Sequence, residues 1–285
     1  MMRLSDSMVE HLRSVVDLPD LTGTRYQIES EIGRGGLGVV YAALDMQLDR
    51  LVAIKVIGST VSTVRLTDEA RVMARLEHPS IVPIYETGVL PDGRAYYAMK
   101  LVDGVRLDDY LKAHPSITER LRVVHRIGEA LAFAHSRDVI HRDLKPQNIM
   151  IGSFGEVYVM DWGVEGVAGT PQFRAPEQAR AGTVDHRSDI YSLGALLAFV
   201  LPERAPRALR AIADKAMSVV PDKRYPDVSE MLLDVQRFQD GLAVEAYRES
   251  VWQKTARFGA RNRVLLLLLA AYVAVRFLLF FLRPA

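Results

Sequence analysis

The chain contains no cysteine. Disulfides, thiolate nucleophiles and Cys-ligated zinc or iron–sulfur centres are therefore excluded as the basis of its fold or chemistry. It also lacks a surplus of charge of either sign. Among 285 residues, 36 Lys and Arg stand against 35 Asp and Glu, leaving a formal charge of +1, so no overall field points to a nucleic-acid partner. Internal repeats and low-complexity tracts are absent. The opening MMRLSDSMVEHLRSVVDLPDL has no apolar core of signal-peptide length and carries Asp6, Glu10 and Asp17; residues 1–25 read as a short amphipathic helix and linker. What remains is a globular composition, 49% apolar and 25% charged, long enough to bury a sizeable core.

One long hydrophobic run is present, at the far end. Residues 264–282 read VLLLLLAAYVAVRFLLFFL, close to the ~20 residues that cross a bilayer. Arg276 alone interrupts them, at about 3 kcal/mol in mid-membrane, less if it snorkels to the headgroups. A buried globular helix would show a polar face, and this run shows none beyond that position. Arg248, Lys254, Arg257, Arg261 and Arg263 precede it against Glu249, while Arg283 follows. The expectation is a single-pass transmembrane helix over 264–282, a basic juxtamembrane segment over 242–263, and a main domain on the cytoplasmic face.

Upstream, YQIESEI, VVYAAL and LVAIKVI predict three short strands within 26–57, separated by a glycine cluster and the polar stretch 45–50. A helix is predicted over 67–77, where Ala70, Met73 and Leu76 keep helical spacing, with further strands over 81–88 and 95–101. From Leu107 the period turns helical, predicting helices over 107–112 and 117–137. A small β-rich lobe (26–102) thus precedes a larger helical lobe (103–241), an α+β organisation.

Gly33, Gly35, Gly38 and Val40 fit G-x-G-x-x-G-x-V, a loop whose missing side chains let backbone amides approach phosphate oxygens. By itself the run fits a plain glycine hairpin equally well. A dinucleotide-binding turn fits less well, because β-rich VVYAAL follows where that turn opens a helix. Lys55 lies in LVAIKVI, whose two faces are otherwise apolar, so its ammonium is partly buried and requires a carboxylate. Glu69 is the candidate, since Val72, Met73 and Leu76 share its helix face. The alternative for Glu69 is a solvated acid at a helix N-terminus, a place Asp68 fills equally well.

The sharpest pattern is VIHRDLKPQNIM, residues 139–150, which gathers Asp143, Lys145 and Asn148 in one loop. His141-Arg142-Asp143 through Asn148 resembles the protein-kinase catalytic loop, Val52-Ala53-Ile54-Lys55 its lysine strand, and Asp161-Trp162-Gly163 its metal-binding triad, with Ala175-Pro176-Glu177 following in family order. The segments GTPQFRAPEQ and YSLGALL resemble the bacterial, Hanks-type serine/threonine kinases, and the likeness spans about 26–241 as one domain.

That resemblance implies a two-lobed protein-kinase-like fold with ATP and Mg²⁺, or Mn²⁺ in its place, as cofactors. Ile32, Gly33, Arg34, Gly35, Gly36, Leu37, Gly38 and Val40 would cover the nucleotide, and Lys55, held by Glu69, would grip its α and β phosphates. Asn148 and Asp161 would ligate the metal, Asp143 would accept the proton of a protein Ser or Thr hydroxyl, and Lys145 would meet the γ-phosphate. Lys145-Pro146 resembles serine/threonine rather than tyrosine kinases. By the same likeness Asp189 braces the catalytic loop, Arg224 pairs with Glu177, and His141 is structural; plain surface charges are the alternative for the first three. Three departures stand out. The stretch 161–177 is short, with no hydroxyl between Gly163 and Thr170, leaving Glu165 as the acid available to Arg142. Only one further helix fits between 200 and 221, and Trp162 replaces the usual Phe.

The expected function is a membrane-anchored serine/threonine protein kinase whose partners are ATP, protein substrates and the lipid bilayer. A pseudokinase scaffold is the alternative, weighed down by the presence of Lys55, Glu69, Asp143, Asn148 and Asp161 together. A small-molecule kinase is a third reading, which GTPQFRAPEQ disfavours.

Overall fold

The computed structural model describes residues 18–35, 38–57, 71–113, 116–162, 171–180, 184–250, 254–255 and 262–281, with no side chains described at 263, 265 and 278–281. The expected N-terminal helix, Gly36, Leu37, Glu69, Glu165 and Thr170 lie outside the described residues.

Strands β1 (Tyr26–Gly35), β2 (Gly38–Asp45) and β3 (Arg50–Ile57) form an antiparallel meander. β4 (Ile84–Val89) and β5 (Ala95–Lys100) complete a sheet of order β1-β2-β3-β5-β4. β3 is central and residues 52–57 are all buried; a strand covered on both faces needs apolar residues throughout, not alternation. Register shifts after Ile28 and after Glu31 give β1 extra residues relative to β2, the pattern of a β-bulge, ahead of the glycine run.

A smaller sheet follows, β6 (Gly104–Arg106), β7 (Ile149–Gly152) and β8 (Val157–Val159), in that order. The lobes meet here. Val159 bridges Ile81 in parallel, and its N–H donates to the Ser80 carbonyl at 2.8 Å.

The larger lobe is built from α1 (Leu107–Ala113), α2 (Ile117–His135), the single turn α3 (Pro176–Ala179), α4 (His186–Val200), α5 (Arg207–Ala216) and α6 (Val228–Gln239). Leu121, Val124, Ile127, Leu131 and Ala134 form the buried stripe of α2, the spacing a 3.6-residue period dictates. α4 and α6 begin on Asp185 and Asp227, whose carboxylates accept the N–H groups of Arg187 and Glu230 at 2.8 and 2.9 Å. Each cap satisfies a donor the helix leaves open and is worth about 1 kcal/mol. A Cβ at Gly194 would lie 2.6 Å from the Ala216 Cβ, so glycine is what lets α4 and α5 touch. The interval between α4 and Pro221 holds one helix, α5.

Past residue 241 the chain still belongs to this body. Val244 is buried, and Asp234 accepts the N–H groups of Glu245 and Ala246 at 2.8 and 3.0 Å. Helix α7 (Arg263–Phe281) ends the described chain, and every side chain described in it is exposed. Among the described residues no helix is long and apolar enough to cross a membrane. The spanning helix expected over 264–282 is therefore not shown; part of that run falls outside the described side chains.

Candidate active site

The glycine run lies where β1 turns into β2, with Gly33 paired to Val40 and Gly35 to Gly38. Paired strands flank it on both sides, and a strand, not a helix, follows it. Gly38 has φ +155° and a Cβ there would lie 2.2 Å from the Val56 carbonyl, so only glycine lets this strand sit so near β3. Ile32 is half-exposed at the rim, and Arg34 forms a forked pair with Glu31 at 3.0 and 2.7 Å.

Lys55 emerges from central β3, buried at 6% exposure, beside the Tyr97 ring. Its Nζ donates to Asp161 Oδ1 at 3.0 Å. Burial pushes the Asp161 carboxyl up, but the charge and hydrogen bond of Lys55 outweigh it and hold the group below the usual carboxylate range. Asp161 and Arg142 have φ of +56° and +69°. Left-handed backbone at non-glycine residues costs about 1–3 kcal/mol each and persists only where the surroundings impose it.

The surroundings of Arg142 do impose it. Asp189, buried in α4, accepts the His141 and Arg142 N–H groups at 2.8 and 2.9 Å and meets His135 Nε2 at 2.8 Å. From the other side, Gln178 Nε2 donates to the Arg142 carbonyl at 2.8 Å. Burial pushes the Asp189 carboxyl up, and the His135 hydrogen bond and charge bring it below its ordinary value. His141 is fully buried against Trp162, and burial pushes its imidazole down, leaving it neutral. The Asp143 N–H donates to His141 Nδ1 at 3.3 Å, which assigns the ring proton to Nε2, 2.9 Å from the Met160 carbonyl. His141 is thus a spacer between the catalytic-type loop and the strand leading to Asp161.

Within that loop, Lys145 Nζ donates to Asp143 Oδ2 at 2.6 Å. Asn148, in the 3-10 turn Pro146–Asn148, sends Nδ2 to the Asp143 carbonyl at 2.8 Å and to its Oδ2 at 3.3 Å. The Met160 N–H donates to the Asn148 carbonyl at 2.9 Å, so the loop and Asp161 are tied by backbone as well. With both contacts of Asn148 made through Nδ2, its amide oxygen is the free donor type for a hard cation. A carboxylate and a carboxamide oxygen are donors Mg²⁺ accepts when phosphate and water complete its shell. Among the described residues no cluster of three or more His, Asp or Glu forms a ready metal cage.

The structure brings Lys55, Asp143, Lys145, Asn148 and Asp161 together; Gly36, Leu37 and Glu69 lie outside the described residues. The Trp162 indole, which stands where phenylalanine was expected, donates to the Val159 carbonyl at 3.0 Å, so its extra polar atom is satisfied. Of the apolar walls, sequence reasoning named Val40 and passed over the rest. Val40, Leu101, Met150 and Met160 pack on Ala53, Met99 and Val102 in one cluster between the lobes, a surface suited to a flat heterocycle. Their signal was alternation: in β7, Met150 lies on the face opposite buried Ile149 and Ile151.

The family model described as Protein kinase domain matches residues 26–238. "Serine/threonine-protein kinase PknB" of Mycolicibacterium smegmatis is 34% identical over 281 residues, covering 80% of this chain and 45% of that protein. "Probable serine/threonine-protein kinase PknB" of Bifidobacterium longum is 37% identical over 240 residues, covering 74% and 34%. The namesake in Lactococcus lactis is 33% identical over 271 residues, covering 78% and 43%. The chain spans less than half the length of these relatives.

Proposed function

We propose that this chain, which belongs to the protein kinase family, transfers the γ-phosphate of ATP to Ser or Thr hydroxyls of proteins. The observation that carries the reading is the convergence of Lys55, Asp161, Asn148 and Asp143, drawn from both lobes, on one hydrogen-bonded constellation.

Phosphoryl transfer asks for positioning and charge neutralisation more than covalent help. Lys55 neutralises phosphate oxygens, and the glycine loop offers backbone N–H donors to them. Asn148 and Asp161 would hold Mg²⁺, or Mn²⁺, which supplies positive charge against the phosphates. Asp143 orients the substrate hydroxyl and takes its proton, while Lys145, held against Asp143 Oδ2, faces the transferred group. The apolar wall of Val40, Ala53, Met99 and Met150 receives the purine.

The protein substrate, and Lys145-Pro146 as the mark of a Ser/Thr enzyme, rest on the resemblance and on the names of the relatives. Anchorage by residues 264–282 with the catalytic domain on the cytoplasmic side belongs to the same proposal. It is supported by the apolar run itself, by the exposure of the described α7 side chains, and by the basic residues before it. The test is incubation of the purified chain with radiolabelled ATP, Mg²⁺ and a generic protein substrate beside an Asp143→Asn control. Label on Ser or Thr in the wild type alone is expected. Nucleotide binding without transfer under any condition would favour the pseudokinase scaffold.

A further inference from the structure

Lys100 and Tyr158 were not singled out by any motif. Lys100 ends β5, where its N–H donates to the Pro83 carbonyl at 3.1 Å and its backbone pairs with Val52 of β3. Its side chain leaves the small lobe and donates a hydrogen bond to the Tyr158 hydroxyl, with Nζ 4.6 Å from the ring centroid. Tyr158 is the middle residue of β8, in the sheet of the larger lobe, and is 6% exposed. Its ring packs in the same apolar cluster as Ala53, Met99 and Val102.

The registers give this contact a meaning. Val52, opposite Lys100, is three residues before Lys55 on β3; Tyr158 is three residues before Asp161 on the way out of β8. The contact therefore joins β5, the hydrogen-bonded neighbour of the strand that carries Lys55, to β8, the strand that leads to Asp161. The lobes are also linked by the backbone bond from Val159 to the Ser80 carbonyl and by the Lys55–Asp161 pair. A further contact at a separate position restricts the rotation that the others leave open.

We infer that Lys100 and Tyr158 form a strut across the hinge that holds β5, and through its pairing β3, at the spacing from β8 that nucleotide binding requires, making both positioning residues. The inference rests on the nucleotide-binding reading above. A cleft held at its binding geometry loses less freedom on ligand capture, so the strut acts on affinity rather than on the chemical step.

The experiment measures binding of a fluorescent ATP analogue by the full chain in detergent, together with kcat and KM for ATP. Tyr158→Phe and Lys100→Met should each weaken nucleotide affinity about three- to tenfold, the worth of one such hydrogen bond. The double variant should be no weaker than either single, because both remove one contact. Lys100→Arg should recover part of the loss, kcat should stay within about twofold, and the melting temperature of Tyr158→Phe should hold. Unchanged affinity in Tyr158→Phe, additive losses in the double variant, or a fall in kcat at constant KM would each overturn the strut while leaving the kinase reading intact. A wild-type chain that binds no nucleotide would overturn both.

Discussion

Arg224 and Glu177 form a two-pronged ion pair, Nη1 to Oε1 at 2.7 Å and Nη2 to Oε2 at 2.8 Å, and the arginine side chain is wholly buried. Two further guanidinium N–H groups donate to the Arg187 and Ser218 carbonyls, and Ser188 adds a hydrogen bond to Glu177. The pair pins α3 to α4 and to the approach of α6. Arg224→Met should lower unfolding free energy by about 3–5 kcal/mol, because the carboxylate is left without its partner. Arg224→Lys should rescue little, a point charge being unable to replace the fork. Urea denaturation midpoints measure both, and a wild-type midpoint in Arg224→Met would refute the assignment.

Acid should unfold the larger lobe through identifiable carboxylates. Burial raises Glu177, Asp189 and Asp234, and in each case hydrogen bonds and charge outweigh it: Arg224 for Glu177, His135 for Asp189, the Glu245 and Ala246 N–H groups for Asp234. A depressed folded-state pKa contributes stability that is complete above the unfolded value and is lost as pH falls toward the folded one. Melting temperature should therefore be insensitive to these groups at neutral pH and fall below the ordinary carboxylate range. Asp189→Asn and Glu177→Gln should flatten that acid limb while starting from a lower plateau.

Charge removal in the cleft should separate chemistry from folding. Lys55→Met and Asp161→Asn are each expected to abolish phosphoryl transfer with the fold retained, since each balances phosphate or metal charge rather than filling space. Asp143→Asn should reduce turnover by at least ~10²-fold, the scale of lost general-base and positioning help. Folded Lys55→Met protein with full activity would sink the kinase reading.

Gly194→Ala places a methyl 2.6 Å from the Ala216 Cβ and 3.2 Å from the Ala213 carbonyl oxygen. Neither neighbour is a flexible side-chain end, so helices α4 and α5 must separate. A loss of about 1–3 kcal/mol, typical of overpacking, is expected in thermal denaturation. The variant Gly93→Ala is a poor control, because φ is +81° there; Gly33→Ala, with open space around its Cβ, serves better.

The full chain should partition with membranes, and a chain ending after Ser250 should remain in the soluble fraction. The cut is placed there because Asp234 binds the backbone at 245 and 246, so truncation at 241 would strip part of the folded body. Sedimentation of the truncated form with vesicles as completely as the full chain would remove residues 264–282 as the anchor.

Local periodicity was enough for the five strands of the small lobe and for the helices that begin at 107 and 117, but not for the short strands β6, β7 and β8, and the residues that converge in the cleft were found by their likeness to protein-kinase motifs. Lys55 could be read as buried from its apolar neighbours on β3 alone, and the pairing of Arg224 with Glu177 followed from the family pattern. Outside the family motifs, chain sequence could not supply which distant groups meet. The Lys100 contact with Tyr158 and the His135 contact with Asp189 join positions separated by whole elements, and Asp234 captures residues 245 and 246 beyond the end of its own helix. Composition and period report what faces the core along one helix or strand; they carry no record of what packs opposite. A polar side chain that is buried must find a partner, but which one it finds is decided only when the lobes have packed.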